Sequence, residues 1–595
     1  MSKQALGKRD ARRTSTSPSP SGQDSALAAW CLWAVLALLA AARLLLEFVP
    51  SMAAWGLNVD RFVPSPWAWV LLSLPAVALL PALARPVAAW LDRRRVNGTA
   101  WQVAMVAAAA TLVAAFPDRV WFTGDFIGRQ FSLDASGSGV AWYTHAVPLD
   151  LALHQQLGHL LVTRWGLEAN DYGRLLGVLE AGALAWSASL FARALDLEGV
   201  TAISAASLVF WGGWLALFTG YNKALSETVL VVALFGGLGL GVVREGRGIV
   251  TLAFVLAAGL LLHRSALALI PAFVSAWLVW WRRVDPGHRR QRAAALSLAI
   301  PVLTLLLEAP QVVTIVREFD VALFVPLGTR SGAQGDTRAL DLLNAIALLS
   351  PAGLASLPLG LALGRTWRRA ESLFLGAMVA PLAALALLFY PPEGLFRFWD
   401  IFAGLGVALS MLTAWMAAVV LAEAPSWRWL GISLALAAAC PSLSFLIHNA
   451  HTGLGLERVQ AYLREPPARA PMLRATAHEF LGFRLIDLGR PAEAAAEFAR
   501  AAEMVPSPRV LRQWATAESM AGDLVAAQAV LRRIAERDST SPDAWRSLAI
   551  GSLRAGDTTE AARSLVELAR LDPADTVARR LLIQLTPGAR SATPR

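Results

Sequence analysis

Apolar residues fill residues 26–450 in blocks of roughly twenty, each closed by a short charged loop, and from about residue 475 the pattern changes to an ordinary polar helical mixture. Backbone groups in hydrocarbon must find partners within their own segment, so each long apolar block reads as a membrane-crossing helix. Thirteen such segments are expected, near 27–49, 67–90, 100–116, 172–194, 199–219, 224–243, 249–262, 265–281, 293–309, 340–363, 371–390, 400–421 and 428–447. The pair around His263 and Arg264 reads either as two helices or as one long helix with a polar kink.

Charge decides between those readings, because Lys and Arg near span ends are retained in the cytoplasm. With the basic N-terminal tail inside, the inner loops carry Arg93 to Arg95, Arg193, Arg244, Arg247, Arg282, Arg283, Arg289, Arg290, Arg292, Arg365, Arg368 and Arg369. Treating 249–281 as one span would put the cluster at 365–369 outside, so two helices are favoured. Thirteen spans then place the C-terminus on the periplasmic or extracellular side of a plasma (inner) membrane.

Residues 1–25 combine five cations with a Ser/Thr/Pro/Gly tract and should be a disordered tail. The first apolar block is too long and too bulky for a cleaved signal and is expected to remain as a helix. The net charge of +10 sits in clusters beside apolar blocks rather than on one soluble face, which argues against nucleic acid as a partner. The two cysteines, Cys31 and Cys440, lie within apolar runs and support neither a disulfide framework nor a cysteine metal site.

In residues 475–590 a Gly-x4-Ala-x3-[Phe/Leu] pattern recurs: Gly489, Ala494, Phe498; Gly522, Ala527, Leu531; Gly556, Ala561, Leu565. That period, punctuated by Pro506, Pro542 and Pro573, is the tetratricopeptide unit. The fold class expected is therefore all-α: a polytopic bundle over 26–450, a linker at 451–474, and a tetratricopeptide-type solenoid over 475–590 that offers a face to a protein partner.

Polar residues next to or inside membrane helices are costly and usually face a cavity. Here they gather on the outer side: Asp125, Arg129, His145, Asp150 and His154 in the loop 117–171, then Tyr221, Asn222, Lys223 and Glu227, then His263 and Arg264, then Arg397 and Asp400. Each has a plain structural alternative. Asp125 with Arg129 and Lys223 with Glu227 have the spacing of helical ion pairs, the histidines suit an interface, and Asp400 suits a cap.

The series Gly124–Asp125 with Arg129, Pro148–Leu149–Asp150 with His154, Gly220–Tyr221 with Glu227, His263–Arg264–Ser265, Leu342–Leu343–Asn344 and Arg397 to Phe402 resembles bacterial multi-span proteins of the GT-C glycosyltransferase type with C-terminal tetratricopeptide repeats. The resemblance covers roughly residues 115–590. It implies a lipid-phosphate-linked, polyprenyl-type sugar donor used at the outer face, with an acidic residue of the first large outer loop as catalyst. Asp125 is the matching position. Arg129, Lys223, Arg264 and Arg397 are then phosphate partners, and Asp150, His145, His154, Glu227 and Asp400 orient substrate or bind a divalent metal ion. The chain departs from the family in having one Asp beside Gly124 instead of an acidic pair, and Phe398–Trp399–Asp400 where relatives read Asp-Trp-Asp. Two other functions compete: a membrane-anchored repeat scaffold for cell-envelope assembly, and a lipid or solute transporter.

Overall fold

The computed structural model describes residues 22–94, 98–122, 146–318, 337–364, 369–391 and 393–585, and every regular element among them is helical. The helices of the apolar region are α1 (Gly22–Leu46), α2 (Ser65–Val77), α3 (Pro81–Asp92), α4 (Thr99–Ala115), α5 (Gly158–Trp165), α6 (Ala169–Ala194), α7 (Gly199–Phe210), α8 (Leu225–Glu245), α9 (Ile249–Leu262), α10 (Ile270–Arg283), α11 (His288–Leu307), α12 (Ala309–Glu318), α13 (Arg338–Leu349), α14 (Ser356–Ala362), α15 (Ala370–Leu388), α16 (Ala403–Glu423) and α17 (Leu430–Asn449). α8 and α16 form the centre, with 78% and 83% of their apolar windows enclosed, while α11 at the rim is 22% enclosed. They pack on each other, with α6, α7, α9 and α15 around them. Rim helices show bare leucine to the outside, such as Leu303 and Leu306 on α11, as a surface facing lipid would.

All thirteen apolar blocks contain helix, but they are not thirteen straight rods. By length and composition eight helices among the described residues suit a crossing, or eleven if each bent pair counts as one. The pair α2/α3 bends by 85°, α13/α14 by 114°, and α7 with the short 3-10 helix Gly213–Thr219 by 62°. Residues that interrupt helix stand at each break: Pro81, Pro351 and the Gly212–Gly213 pair. α9, 14 residues long, spans about 21 Å at 1.5 Å per residue, short of the roughly 30 Å of hydrocarbon. The chain does break at His263, which is extended, so α9 and α10 are separate helices.

The C-terminal helices are α18 (Thr452–Arg464), α19 (Pro471–Asp487), α20 (Pro491–Met504), α21 (Pro508–Ala521), α22 (Leu524–Arg537), α23 (Pro542–Arg554), α24 (Thr558–Leu571) and α25 (Thr576–Leu585). From α19 onward each helix packs on the next, which is the solenoid the repeat pattern predicts. Gly489, Gly522 and Gly556 turn the pairs α19/α20, α21/α22 and α23/α24 at φ of 70°, 87° and 80°, a region glycine enters without strain. Ala494, Ala527 and Ala561 are buried where the helices meet. Ser507, Asp523, Ser541 and Asp557 each accept a backbone N–H at a helix start.

The stretch 451–474, expected as a linker, is largely helical. α18 buries Arg458, Val459 and Tyr462, and Arg458 donates to the Trp55 carbonyl at 2.8 Å between the rings of Phe396 and Phe445. Burial pushes its pKa down to about 9. Arg469 pairs with Asp341 at 2.8 Å, and Arg61 with Glu465. Ala477, Phe480 and Leu481 of α19 belong to the same core as the apolar bundle. The first repeat helix is thus part of the bundle's packing.

Candidate functional site

Helix α6 sets the site's backbone. A methyl group on Gly177 would stand 1.8 Å from the Phe218 carbonyl oxygen, and one on Gly173 2.8 Å from that of Gly220. Glycine at both positions lets α6 lie against Gly213–Thr219, and that contact fixes the segment Gly220 to Lys223 leading into α8. There Asn222 takes φ of 45°, and across the site Trp121 takes 50°. These are two of the three non-glycine residues with positive φ among those described. A third irregularity is a π-helical turn, Ala152–Leu157, which carries His154. Strained backbone and π turns concentrate at functional sites.

Two charged groups converge here. His154 Nδ1 lies 2.8 Å from Asp150 Oδ1, and its Nε2 lies 2.9 Å from Glu227 Oε1, off the best hydrogen-bond axis. All three are buried. Ser226 Oγ donates to Glu227 Oε2 at 3.1 Å, and the Glu180 carboxyl of α6 also contacts Glu227. Burial would lower the pKa of His154, but the carboxylates of Glu227 and Asp150 outweigh it and hold the imidazole up at about 9. One turn away, Lys223 Nζ donates to Asp400 Oδ2 at 2.7 Å, with the aspartate fully buried. Asn222 Nδ2 reaches the His154 carbonyl at 3.4 Å and ties the two groups together.

A second tier joins this centre to the repeats. Buried Asp118 accepts the N–H groups of Val120 and Trp121 and the Tyr221 hydroxyl, whose oxygen accepts Phe122 N–H at 3.1 Å. Burial raises Asp118 to about 6, against the pull of those donors and of Arg484. Burial also raises Tyr221, with Asp118 and Asp400 acting in the same direction. Arg484 of α19 lies over Trp121, and Arg397 donates to the Thr476 carbonyl at 3.1 Å and pairs with Glu393 at 2.9 Å.

Of the residues expected from the sequence, Asp150, His154, Lys223, Glu227 and Asp400 come together. Arg397 lies at the second tier but is turned toward the first repeat helix, because Glu393 and the Phe480 ring already hold it. Arg264 is exposed, at the start of the 3-10 helix Arg264–Leu269, and makes no ion pair with a described residue. Asp125, Arg129 and His145 lie outside the described residues. Among the described residues no group of three His, Cys, Asp or Glu side chains could hold a metal ion. Both His154 nitrogens face carboxylates, an arrangement that suits an imidazolium donor. Asp118, Glu180 and Arg484 were not expected. Glu180 had a signal, a carboxylate in the middle of an apolar block; Arg484 had none, since it sits in an ordinary repeat helix.

No protein-family model matches the chain, and no curated protein matches it. Among solved structures it aligns with a chain of the crystal structure of the APC/C hetero-tetramer Cut9-Hcn1, at 12% identity over 77% of this chain and 98% of that one, with a TM-score of 0.19. A likeness of that size carries no argument about fold or function.

Proposed function

We propose that this chain is a membrane glycosyltransferase that takes a sugar from a lipid-phosphate carrier at the outer face of the membrane, with its repeats serving to dock a protein partner. The observation that carries the proposal is the string Asp150–His154–Glu227 beside the Lys223–Asp400 pair, brought from three distant parts of the chain to one end of an apolar bundle and held on distorted backbone. Replacing buried ion pairs by well-packed apolar residues is often neutral or stabilising, so a plain anchor has little use for this many.

The reaction would run as follows. A carboxylate, for which Asp125 is the candidate, takes the proton of an acceptor hydroxyl; the acceptor oxygen attacks the sugar's anomeric carbon as its bond to the phosphate oxygen breaks. The lipid phosphate leaves with the negative charge. Arg264, exposed and in no ion pair with a described residue, is the candidate cation for that phosphate, with Arg129 as a further candidate. Lys223 and Arg397 are already paired, so they act more on the shape and charge of the wall. Asp150, His154, Glu227 and Asp400 orient the substrate. The exposed Leu157, Leu160 and Trp165 of the loop helix would rest on the lipid surface.

The test is transfer from a panel of radiolabelled polyprenyl-phosphate sugars by membranes carrying the full chain. Asp125→Asn should lower transfer by about 100-fold or more at equal protein level, the usual worth of a general base, and Arg264→Gln should raise KM for the donor. Undiminished transfer by Asp125→Asn would overturn the assignment.

A scaffold role has one observation of its own: between α23, α24 and α25 lies a groove of about 500 Å³, lined by Ala549, Leu553, Leu565, Leu568 and Leu581 with Arg546 and Asp575 at its edge. We assign that surface to the protein partner, and it is compatible with catalysis in the bundle.

A further inference from the structure

The end of the bundle opposite in charge to the candidate site carries a feature unused by the reaction proposed above. Five arginines stand on the turn between α10 and α11 (Arg282, Arg283, Arg289, Arg290 and Arg292) against one acidic residue, Asp285. Their neighbours at this end are neutralised: Arg244 pairs with Asp196 at 2.8 Å and approaches Glu371 at 3.8 Å, and Arg369 pairs with Glu423 at 3.3 Å. The five on the turn form no ion pair with any described residue. Arg283 donates to the Arg244 carbonyl at 2.8 Å and Arg290 to the Val284 carbonyl at 3.1 Å, contacts that fix position without cancelling charge. The Arg290 guanidinium carbon lies over the Trp281 ring, 3.7 Å from its centroid, and its buried Nε has no hydrogen-bond partner among the described residues.

The arrangement works against the fold unless something supplies negative charge. Three of the arginines open α11, where the helix dipole is positive and acidic side chains are the stabilising choice. Directly beyond them both helices turn apolar and bare: Val274 and Leu278 on α10, and Leu296, Val302, Leu303 and Leu306 on α11, are all exposed. A cluster of cations thus sits immediately beside a bare apolar surface.

We propose that this turn is a binding site for an anionic phospholipid, its phosphate held by Arg282, Arg289 and Arg292 and its acyl chains laid along the bare faces of α10 and α11. The occupant is a lipid rather than a free anion because charge and apolar surface are contiguous. On the side that the basic loops assign to the cytoplasm, an acidic leaflet surface attracts each basic residue by about 1 kcal/mol, or roughly fivefold in affinity.

The experiment uses the full chain, delipidated in detergent and titrated with phosphatidylglycerol, phosphatidylcholine or inorganic phosphate, with bound lipid counted by native mass spectrometry and unfolding followed thermally. The native chain should retain phosphatidylglycerol over phosphatidylcholine by at least about tenfold. The combined Arg282→Gln, Arg289→Gln and Arg292→Gln variant should lose that preference. The same charge removed from the repeats, as Arg554→Gln, Arg579→Gln and Arg580→Gln, should leave it intact. The proposal fails if the two lipids are held equally, if both triple variants lose the preference alike, or if inorganic phosphate stabilises the native chain as well as the lipid does.

Discussion

The same residue types play opposite parts in the apolar bundle and in the repeats. In the repeats, ion pairs such as Arg490 with Glu493 and Arg570 with Glu567 run along the outside of single helices, three residues apart and well exposed. Water and salt screen them, and pairs of that kind contribute little. In the bundle, Lys223 with Asp400, Arg43 with Asp60 and Arg469 with Asp341 join distant segments and are nearly inaccessible. Their desolvation has been offset only by close contact, so losing one partner leaves a buried charge. Counting charges along the chain therefore says little about where function lies; their enclosure and their reach across the chain say much more.

The largest effect should come from breaking a bundle pair. Lys223→Met removes the cation paired with buried Asp400 and should cost about 3–5 kcal/mol, read as loss of folded protein in detergent, whereas the double variant Lys223→Met with Asp400→Leu should recover much of that loss. A double variant no better than the single one would mean the pair is not the relevant contact. Next comes Phe480→Ala, which removes a buried ring from the joint between α19 and the bundle. It should cost about 3 kcal/mol and detach the repeats as a protease-sensitive unit; an unchanged digestion pattern would contradict the shared core.

His154 gives a pH signature of smaller size. Its folded pKa of about 9 stands above the ordinary 6.5, so its contribution is complete below pH 6.5 and is lost as pH rises through about 9. The contribution is bounded at about 3 kcal/mol. His154→Gln should flatten the fall in stability between pH 6.5 and 9, and an unaltered slope would show that the imidazole is not charged. At the bottom of the scale, Arg490→Ala on the repeat surface should leave the melting temperature unchanged within error.

How much of this was legible follows the same contrast. The repeats could be read because their glycine, alanine and large-residue marks act locally, at fixed spacing. The apolar blocks were legible as helices, but their bends were not: whether Pro351 merely kinks a span or turns it by 114° depends on what packs around it. Asp150 and His154 could be collected from the long outer loop, and Lys223, Glu227 and Asp400 from block ends on the same side, without any indication that His154 would bridge two carboxylates. Asp118 and Arg484 escaped because their meeting depends on α19 docking into the bundle, a tertiary contact with no periodic trace in the sequence.

The central claim, that the polar centre at the end of α8 and α16 receives a lipid-phosphate-linked substrate, is tested most directly by photolabelling. A polyprenyl phosphate carrying a diazirine beside its phosphate, added to the full chain in membranes, should mark peptides containing residues 146–165, 220–228 or 263–269, and an unlabelled carrier should compete it away. Labelling confined to the repeats or to the α10–α11 turn, or labelling that the unlabelled carrier does not reduce, would contradict the account.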